Sequence, residues 1–536
     1  MSENKNTFVK GVAILGIAGL IGKVIGAFYR VPLTHIIGTD GMGLYQIAYP
    51  IYSFLVLLSS AGLPTAISKL VAERIVSGDY RGAHRVFQVA FQVLAVMGIA
   101  STAFLAALSY PLAVAVGDAR AMLSLLCLSP ALLFVSVICA YRGYFQGLQQ
   151  MVPTALSQII EQIGKLIFGF ALAMVMGKNG VVYAAAGAVL GVSISEAIAL
   201  VGMIVAYNRH KPQLKKNIRA SIRRPKPRFK KVAISLARVA VPITIGSSMM
   251  PLVNTLDTAV VIRRLQSIPE LSDGATSLFG ILTGMINPLI NMPAVLTLSL
   301  SMALVPAIAA CIKRGDQLGT HSTSALGFRM ALWVGLPAAL GMYLLADPIM
   351  HLLYGSQSAE KLLIGGNLLR SMSVAVLFLS LNQTMAGILQ GIGRVFLPVR
   401  NILIGAAFKL ILNFVLVGIP AINIQGAAVG TIACYAVASV LSAIDVIRYT
   451  RMKFSIGDFL LRPLTAAVGM GLTVWAFDHF LSPHLGTAIG TLGAVAVGAA
   501  VYLLLLVVVR GVKPSDMRMI PGGRRITALL VKAHIW

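Results

Sequence analysis

The sequence predicts an all-α integral membrane protein of about fourteen transmembrane helices, in two parallel pseudo-symmetric lobes of six with two C-terminal helices added. Three observations carry this reading. The 536 residues are 57% hydrophobic and only 11% charged, with a mean hydropathy of +0.86, where a soluble domain holds about 25% charged residues. Apolar runs of spanning length, about 20 residues each, recur from one end of the chain to the other. The part before one long basic segment also resembles, position by position, the part after it.

In chain order the apolar runs cover approximately 10–30, 43–68, 86–110, 121–145, 154–176, 181–207, 232–262, 276–312, 325–346, 362–389, 397–418, 423–447, 459–481 and 486–509. The first run, from Gly11, is not followed by a small-residue cleavage site in a polar setting, so it reads as a retained span and not a signal peptide. The loops are short and leave no room for a soluble catalytic or nucleotide-binding domain.

The basic segment Arg209–Lys231 holds eleven Lys or Arg residues and no acid. It cannot sit in hydrocarbon, and next to spans it belongs on the cytoplasmic side. It divides the chain into an N-lobe (1–207, six spans), a basic cytoplasmic linker (208–231), a C-lobe (232–450, six spans), two further spans (451–510) and a basic cytoplasmic tail (511–536). With the N-terminus inside, the inner segments hold Lys5, Lys10, Arg74, Arg81, Arg85, the linker, Lys313, Arg314, Arg394, Arg400, Arg448, Arg451, Lys453, Arg462 and the bases of the tail. The outer segments hold only Arg120, Lys178, Arg263, Arg264 and Lys361. Both termini are therefore expected in the cytoplasm.

The repeat rests on polar matches at fixed shifts. Gly78-Asp79, Gly82, His84 and Pro111 match Gly315-Asp316, Gly319, His321 and Pro348. Gln146-Gly147 and Lys165-Leu166-Ile167 match Gln390-Gly391 and Lys409-Leu410-Ile411. Six spans, an even number, precede the join, so the two copies face the same way and are expected to be related by an axis along the membrane normal. Such repeats place a substrate path between the lobes, worked by alternating access.

The formal charge of +27 raises the question of nucleic acid, but the bases are spread over many short loops, which orientation and anionic lipid headgroups explain better. No nucleic-acid partner is expected. Cys127, Cys139, Cys311 and Cys434 lie in or beside apolar runs with no metal-ligand spacing, so neither a zinc site nor a disulfide framework is indicated. No cofactor is expected.

Candidate binding residues are polar groups inside spans, where each is costly. On span 1, Gly16, Gly19, Lys23, Gly26 and Arg30 fall on one helix face. Lys23 is central, where a charge costs about 2.5–3.5 kcal/mol on insertion scales; it either faces a wet cavity or pairs structurally. Arg30 lies at the outer end, as substrate contact or interfacial anchor. Span 7 carries Arg238, Pro242, Pro251, Asn254 and Asp257, and span 8 carries Asn287, Pro288, Asn291 and Pro293. Prolines bend a helix and free carbonyls, so these faces read as cavity lining or as kinked helices whose polar groups satisfy one another. On span 5, Glu161 and Lys165 stand one turn apart and are expected to pair. Lys409 has no acid one turn away, only Asn413. Glu196 and Asp445 are candidates for ion or proton coupling, or are protonated hydrogen-bonded acids. A phosphate loop ending in Lys-Ser/Thr, a His-Glu-x-x-His motif and clustered outer acids are all absent, which argues for a transporter driven by gradient or potential and not an enzyme.

The run Arg30-Val-Pro-Leu-Thr-His-Ile-Ile-Gly38-Thr-Asp-Gly-Met-Gly43-Leu-Tyr45-Gln resembles the start of the SpoVB-like polysaccharide flippases, as do Gly62-Leu-Pro64-Thr-Ala-Ile-Ser68-Lys69 and Arg142-Gly-Tyr-Phe-Gln146-Gly147 with Pro153. These belong to the multidrug/oligosaccharidyl-lipid/polysaccharide exporter superfamily, with the MurJ lipid II flippases. The resemblance implies a multi-pass protein of the bacterial plasma membrane that moves undecaprenyl-pyrophosphate-linked cell-wall precursors from inner to outer leaflet. Membrane lipids and cell-wall synthesis proteins are the implied partners, and the last two spans would offer a groove for the prenyl tail. Lys23 and Arg30 fall near basic residues of MurJ span 1; the acid that MurJ carries after the first outer loop is missing at Leu44-Tyr45-Gln46. Lys23 and Arg238 would neutralise the pyrophosphate. A multidrug/cation antiporter of the same superfamily and a major-facilitator-type transporter are the alternatives; Asp79-x-Arg81-Gly82-x-x-Arg85 partly mimics a loop motif of the latter.

Overall fold

One helix, α1 (Ser2–Ser60), is 59 residues long, about 90 Å at 1.5 Å per residue and far more than the ~30 Å of a hydrocarbon core. It breaks at Gly38, whose φ of 69° and ψ of −179° belong to a conformation that side chains with a Cβ rarely enter. In this computed structural model, residues 2–221, 227–451 and 457–512 are described, without the side chains of 2–17, Lys23, Ala27, Asp458 and Pro483. Among them no strand occurs, and thirteen helical segments are long and apolar enough to cross a membrane. The first of these, Ala18–Val76, is 59 residues long and broken at Gly38, which is length enough for two crossings; counted so, the thirteen would become the fourteen expected.

The chain divides into two compact units, 1–284 and 285–536. The first contains α1, α2 (Leu63–Val76), α3 (Tyr80–Ala107), α4 (Ser109–Val116), α5 (Met122–Gly147), α6 (Val152–Gly177), α7 (Val181–Arg219), α8 (Phe229–Gln266) and α9 (Ala275–Gly280). A π-helical turn, Ile281–Ile286, follows. The second contains α10 (Asn287–Lys313), α11 (Gln317–Leu344), α12 (Ala346–Tyr354), α13 (Ala359–Gly391), α14 (Phe396–Leu416), α15 (Gln425–Thr450), α16 (Arg462–Phe480), α17 (Ser482–Leu485) and α18 (Thr487–Val508). The contact boundary therefore falls beyond the basic segment, because α8 packs on α1 and α2.

The matched sequence positions build matched local structure. Gly78 and Gly315 turn the chain with φ of 71° and 69°. The next residues, Asp79 and Asp316, each accept the N–H of a glycine three residues on, Gly82 and Gly319, at 2.7 Å, as an N-cap does. α3 and α11, which follow, are both 28 residues long. Each unit also joins two helices by tight glycine contacts, which is how helices associate where lipid removes the hydrophobic drive. A Cβ on Gly147 would lie 2.7 Å from Val71 Cβ, and one on Gly391 would lie 2.9 Å from Ile308 Cβ.

Aromatic rings fill the core of the first unit where α3, α5 and α7 meet: Phe87 lies 4.6 Å from Tyr144 and 5.3 Å from Tyr141 and Tyr207. In the second unit the two added helices are seated on the repeat. A Cβ on Gly471 of α16 would lie 2.8 Å from Leu340 of α11, and Met470, Val474 and Tyr502 join the buried cluster there.

Candidate functional site

Arg142, Ser157, Glu161 and Glu196 come together in the apolar interior of the first unit. Arg142 sits in the last turns of α5, among residues that pack on α2. A guanidinium stays charged in any protein setting, so a buried one needs a carboxylate. Glu161 of α6 supplies it as an ion pair. The Arg142 Nε also donates to Ser157 Oγ at 2.9 Å, and Ser157 donates in turn to the Thr154 carbonyl at 2.8 Å. The expected pairing of Glu161 with Lys165 is therefore corrected: the acid turns to α5. Lys165 instead lies 6.0 Å from the centre of the Tyr49 ring, and Tyr49 stacks on Tyr45 at 5.7 Å. Arg30 and Lys165 both stand near Tyr45. Glu196 of α7 is 6% exposed, and its Oε2 is buried with no hydrogen-bond partner. It stands beside Glu161, Lys165 and Arg142.

Lys23 lies on α1, but its side chain is outside the described residues. The glycine face around it is partly filled. Gln162 of α6 packs against Gly22, where a Cβ would meet it at 3.2 Å, whereas a Cβ on Gly19 would meet nothing within 4 Å. On α8, Arg238 and Asn254 are exposed and Asp257 is half-buried; Pro242 and Pro251 are both inside the helix. The Asn254 carbonyl is taken by the Thr258 hydroxyl at 2.8 Å.

In the second unit, Asn287 is half-buried and Asn291 exposed; the Asn291 amide donates to the Asn287 carbonyl at 2.7 Å. Asp445 is buried, and its Oδ2 takes two hydrogen bonds. It accepts from Arg400 at 2.8 Å and from the Asn401 amide at 2.9 Å. Lys409 is half-buried on α14, its carbonyl against Gly430.

The motif after Gly38 has a structural role that sequence reading missed. Thr39 and Ser277 share a hydrogen bond of 2.7 Å, and the Gln46 amide donates to the Thr283 carbonyl at 2.7 Å, inside the π-helical turn. Arg120 donates to both oxygens of Asp40, at 2.8 and 2.9 Å, and also holds Asp118 at 2.7 Å. Asp118 accepts the Thr276 hydroxyl at 2.6 Å. Burial alone would raise the Asp118 carboxyl, but the hydrogen bonds from Arg120 and Thr276 outweigh it and hold the group below the usual carboxylate range. Gly43 lies so close to the Thr276 carbonyl, and Gly280 to the Thr39 carbonyl, that neither admits a Cβ. This lock ties the middle of α1 to α9, at the end of α3 away from the Asp79 cap.

Comparison with known proteins agrees with this architecture. A family profile described as polysaccharide biosynthesis protein matches residues 8–311, and one described as MatE matches 242–415. The stage V sporulation protein B of Bacillus subtilis (strain 168) is 29% identical over 520 residues, 96% of this chain and 98% of that protein. The lipid II flippase MurJ of the same organism is 28% identical over 521 residues, 92% of this chain and 94% of that one. Among solved structures, lipid II flippase MurJ in an inward closed conformation superposes with a TM-score of 0.69 at 15% identity, covering 92% of this chain and 98% of that one. An inward-facing multidrug resistance MATE family transporter of the MOP superfamily gives 0.64 at 15% identity, covering 82% and 98%. At that identity the likeness is one of fold.

Proposed function

The chain belongs to the polysaccharide biosynthesis protein family, and from that premise we propose that it is a flippase for lipid-linked cell-wall precursors. Its substrate is lipid II or a related undecaprenyl-pyrophosphate-linked saccharide, moved from the inner to the outer leaflet by alternating access. The observation that carries this is similarity along nearly the whole length to the lipid II flippase of Bacillus subtilis, with the MurJ fold in support.

In this reading Lys23, Arg30 and Arg238 meet the pyrophosphate, which needs cations wherever it leaves bulk water. Asn254, Asp257, Asn287 and Asn291 line the path of the headgroup. Glu196, Lys409 and Asp445 are the candidates for coupling to an ion or a proton. Both termini and the 208–231 linker face the cytoplasm, and cell-wall synthesis proteins act beside the flippase as partners. The half-buried Arg30, near Lys165 and Tyr45, supports a cationic lining. The test is a leaflet-accessibility assay for lipid II in cells depleted of their own flippase. Restoration of outer-leaflet lipid II by this chain is expected, and none in cells that express it well would sink the reading.

The MatE match over 242–415 and the buried Glu196 favour a second reading, a multidrug/cation antiporter. Dye efflux from vesicles driven by a sodium or proton gradient, with no lipid II flipping, would select it.

A further inference from the structure

The two units treat one corresponding place differently. In the first, the Gly78–Asp79 turn is covered by the chain itself. α7 runs for 39 residues, to Arg219. Along it Tyr207 packs on Phe87 at 5.3 Å, the His210 ring meets Phe145 at 5.5 Å, and Leu214 is buried. Beyond its end, the Ser221 hydroxyl donates to the Gly78 carbonyl at 3.3 Å and accepts the Arg81 N–H at 3.2 Å.

In the second unit the Gly315–Asp316 turn has the same build, but α15 stops after 26 residues, at Thr450. Arg451 then turns the chain with a φ of 52°. The corresponding place is a cavity of about 680 Å³, whose walls include Asp316, Leu318, His321, Tyr449 and Arg451. Arg451 is the arginine on its wall, and two more stand at its Tyr449 side. The Arg394 guanidinium lies over the Tyr449 ring at 4.8 Å, and that of Arg448 at 5.9 Å. The acid on the wall, Asp316, is engaged by the Gly319 N–H at 2.7 Å. Leu318, on the wall, is 83% exposed, and Phe396, two residues beyond Arg394, is 85% exposed.

Arginines at a helix end, a cavity left among the described residues and exposed apolar side chains near it are what an anionic lipid needs: charge for its phosphate and an apolar surface for its chains. We propose that this cavity at the end of α15 binds the anionic headgroup of a membrane phospholipid. A free phosphate would use the cations and leave Leu318 and Phe396 unused. The site is independent of the flipping reading, because none of the residues assigned to the substrate lines it.

The test is binding of short-chain lipids to the purified full chain in detergent. Dihexanoyl phosphatidylglycerol is expected to bind about tenfold more tightly than dihexanoyl phosphatidylcholine. The difference should vanish in R394Q/R451Q and persist in R394K/R451K, which keeps the charge. Equal affinity for the two lipids, or an undiminished difference in R394Q/R451Q, would overturn the proposal. Inorganic phosphate displacing phosphatidylglycerol at equal concentration would overturn the lipid as source. If R394Q/R451Q does not fold, the unmodified protein decides: binding of phosphatidylglycerol must weaken severalfold between about 0.05 and 0.5 M salt, and a salt-independent affinity rejects the site.

Discussion

Arg142 of α5 and Glu161 of α6 form an ion pair in the interior of the first unit, with their side chains only 14% and 12% exposed. Breaking such a pair by removing one partner leaves a buried charge alone and costs about 3–5 kcal/mol. Glu161→Gln is therefore expected to lower the thermal midpoint in detergent sharply. Replacing both residues, in Arg142→Leu/Glu161→Leu, should recover much of that loss. Thermal unfolding of the single and double variants checks this, and a double variant no better than the single one would mean that the pair is not the source of the effect.

The lock at Asp118 predicts a pH dependence. Its carboxyl is held below the usual range by Arg120 and Thr276. For a depressed carboxyl, the stabilisation is complete above the unfolded value of about 3.9 and is lost as pH falls through the lower folded value. The protein should thus lose part of its stability under acid conditions, below about pH 4, where Asp118→Asn should show a flatter profile. At neutral pH that substitution should cost about 1–2 kcal/mol. Thermal midpoints of both proteins across pH check it; parallel profiles would rule out Asp118 as the titrating group.

Much of the fold was legible because it is written in one dimension. The crossings follow from run length, and the repeat follows from Gly78-Asp79 and Gly315-Asp316, whose turn geometry the structure reproduces in both units. The polar interior was less legible because its pairs join different helices. Glu161 has Lys165 one turn away, and only the packing of α5 on α6 brings Arg142 to it instead. Arg142 stood at the end of an apolar run and read as part of a motif. The lock from Gly38 to Gln46 was hidden likewise, since its partners Ser277 and Thr283 lie more than two hundred residues further on. The apolar run of span 6 ends at 207, yet α7 continues to Arg219, because Leu214 is buried in the core of the first unit.

Orientation is the third prediction. The Lys and Arg asymmetry predicts that the linker is inside. Ser221 is a poor reporter, since it is buried and bonded to Arg81. Lys216 and Asn179 are exposed, on the linker and on the turn between α6 and α7. In a protein freed of its own cysteines, Asn179→Cys should react with an impermeant maleimide on intact cells. Lys216→Cys should react only after permeabilisation. The reverse pattern would invert the topology.

The last prediction concerns Lys23. It stands on the glycine-bearing face of α1, near the open position at Gly19, and no other residue of span 1 puts a charge near its middle. A pyrophosphate entering a low-dielectric path without a cation would carry a large desolvation cost. Lys23→Ala should therefore abolish flipping while expression and folding stay near normal. Lys23→Arg should retain part of the activity, since it keeps the charge but changes the hydrogen-bonding fork. The membrane potential, inside negative, acts on a crossing charge by about 2.3 kcal/mol per 100 mV. It would drive the anionic headgroup outward and draw the emptied cationic path back, so collapsing the potential should slow turnover. The check is the leaflet-accessibility assay on the two variants and on de-energised cells. Normal flipping by folded Lys23→Ala would assign Lys23 a structural role and make Arg238 the leading partner of the headgroup.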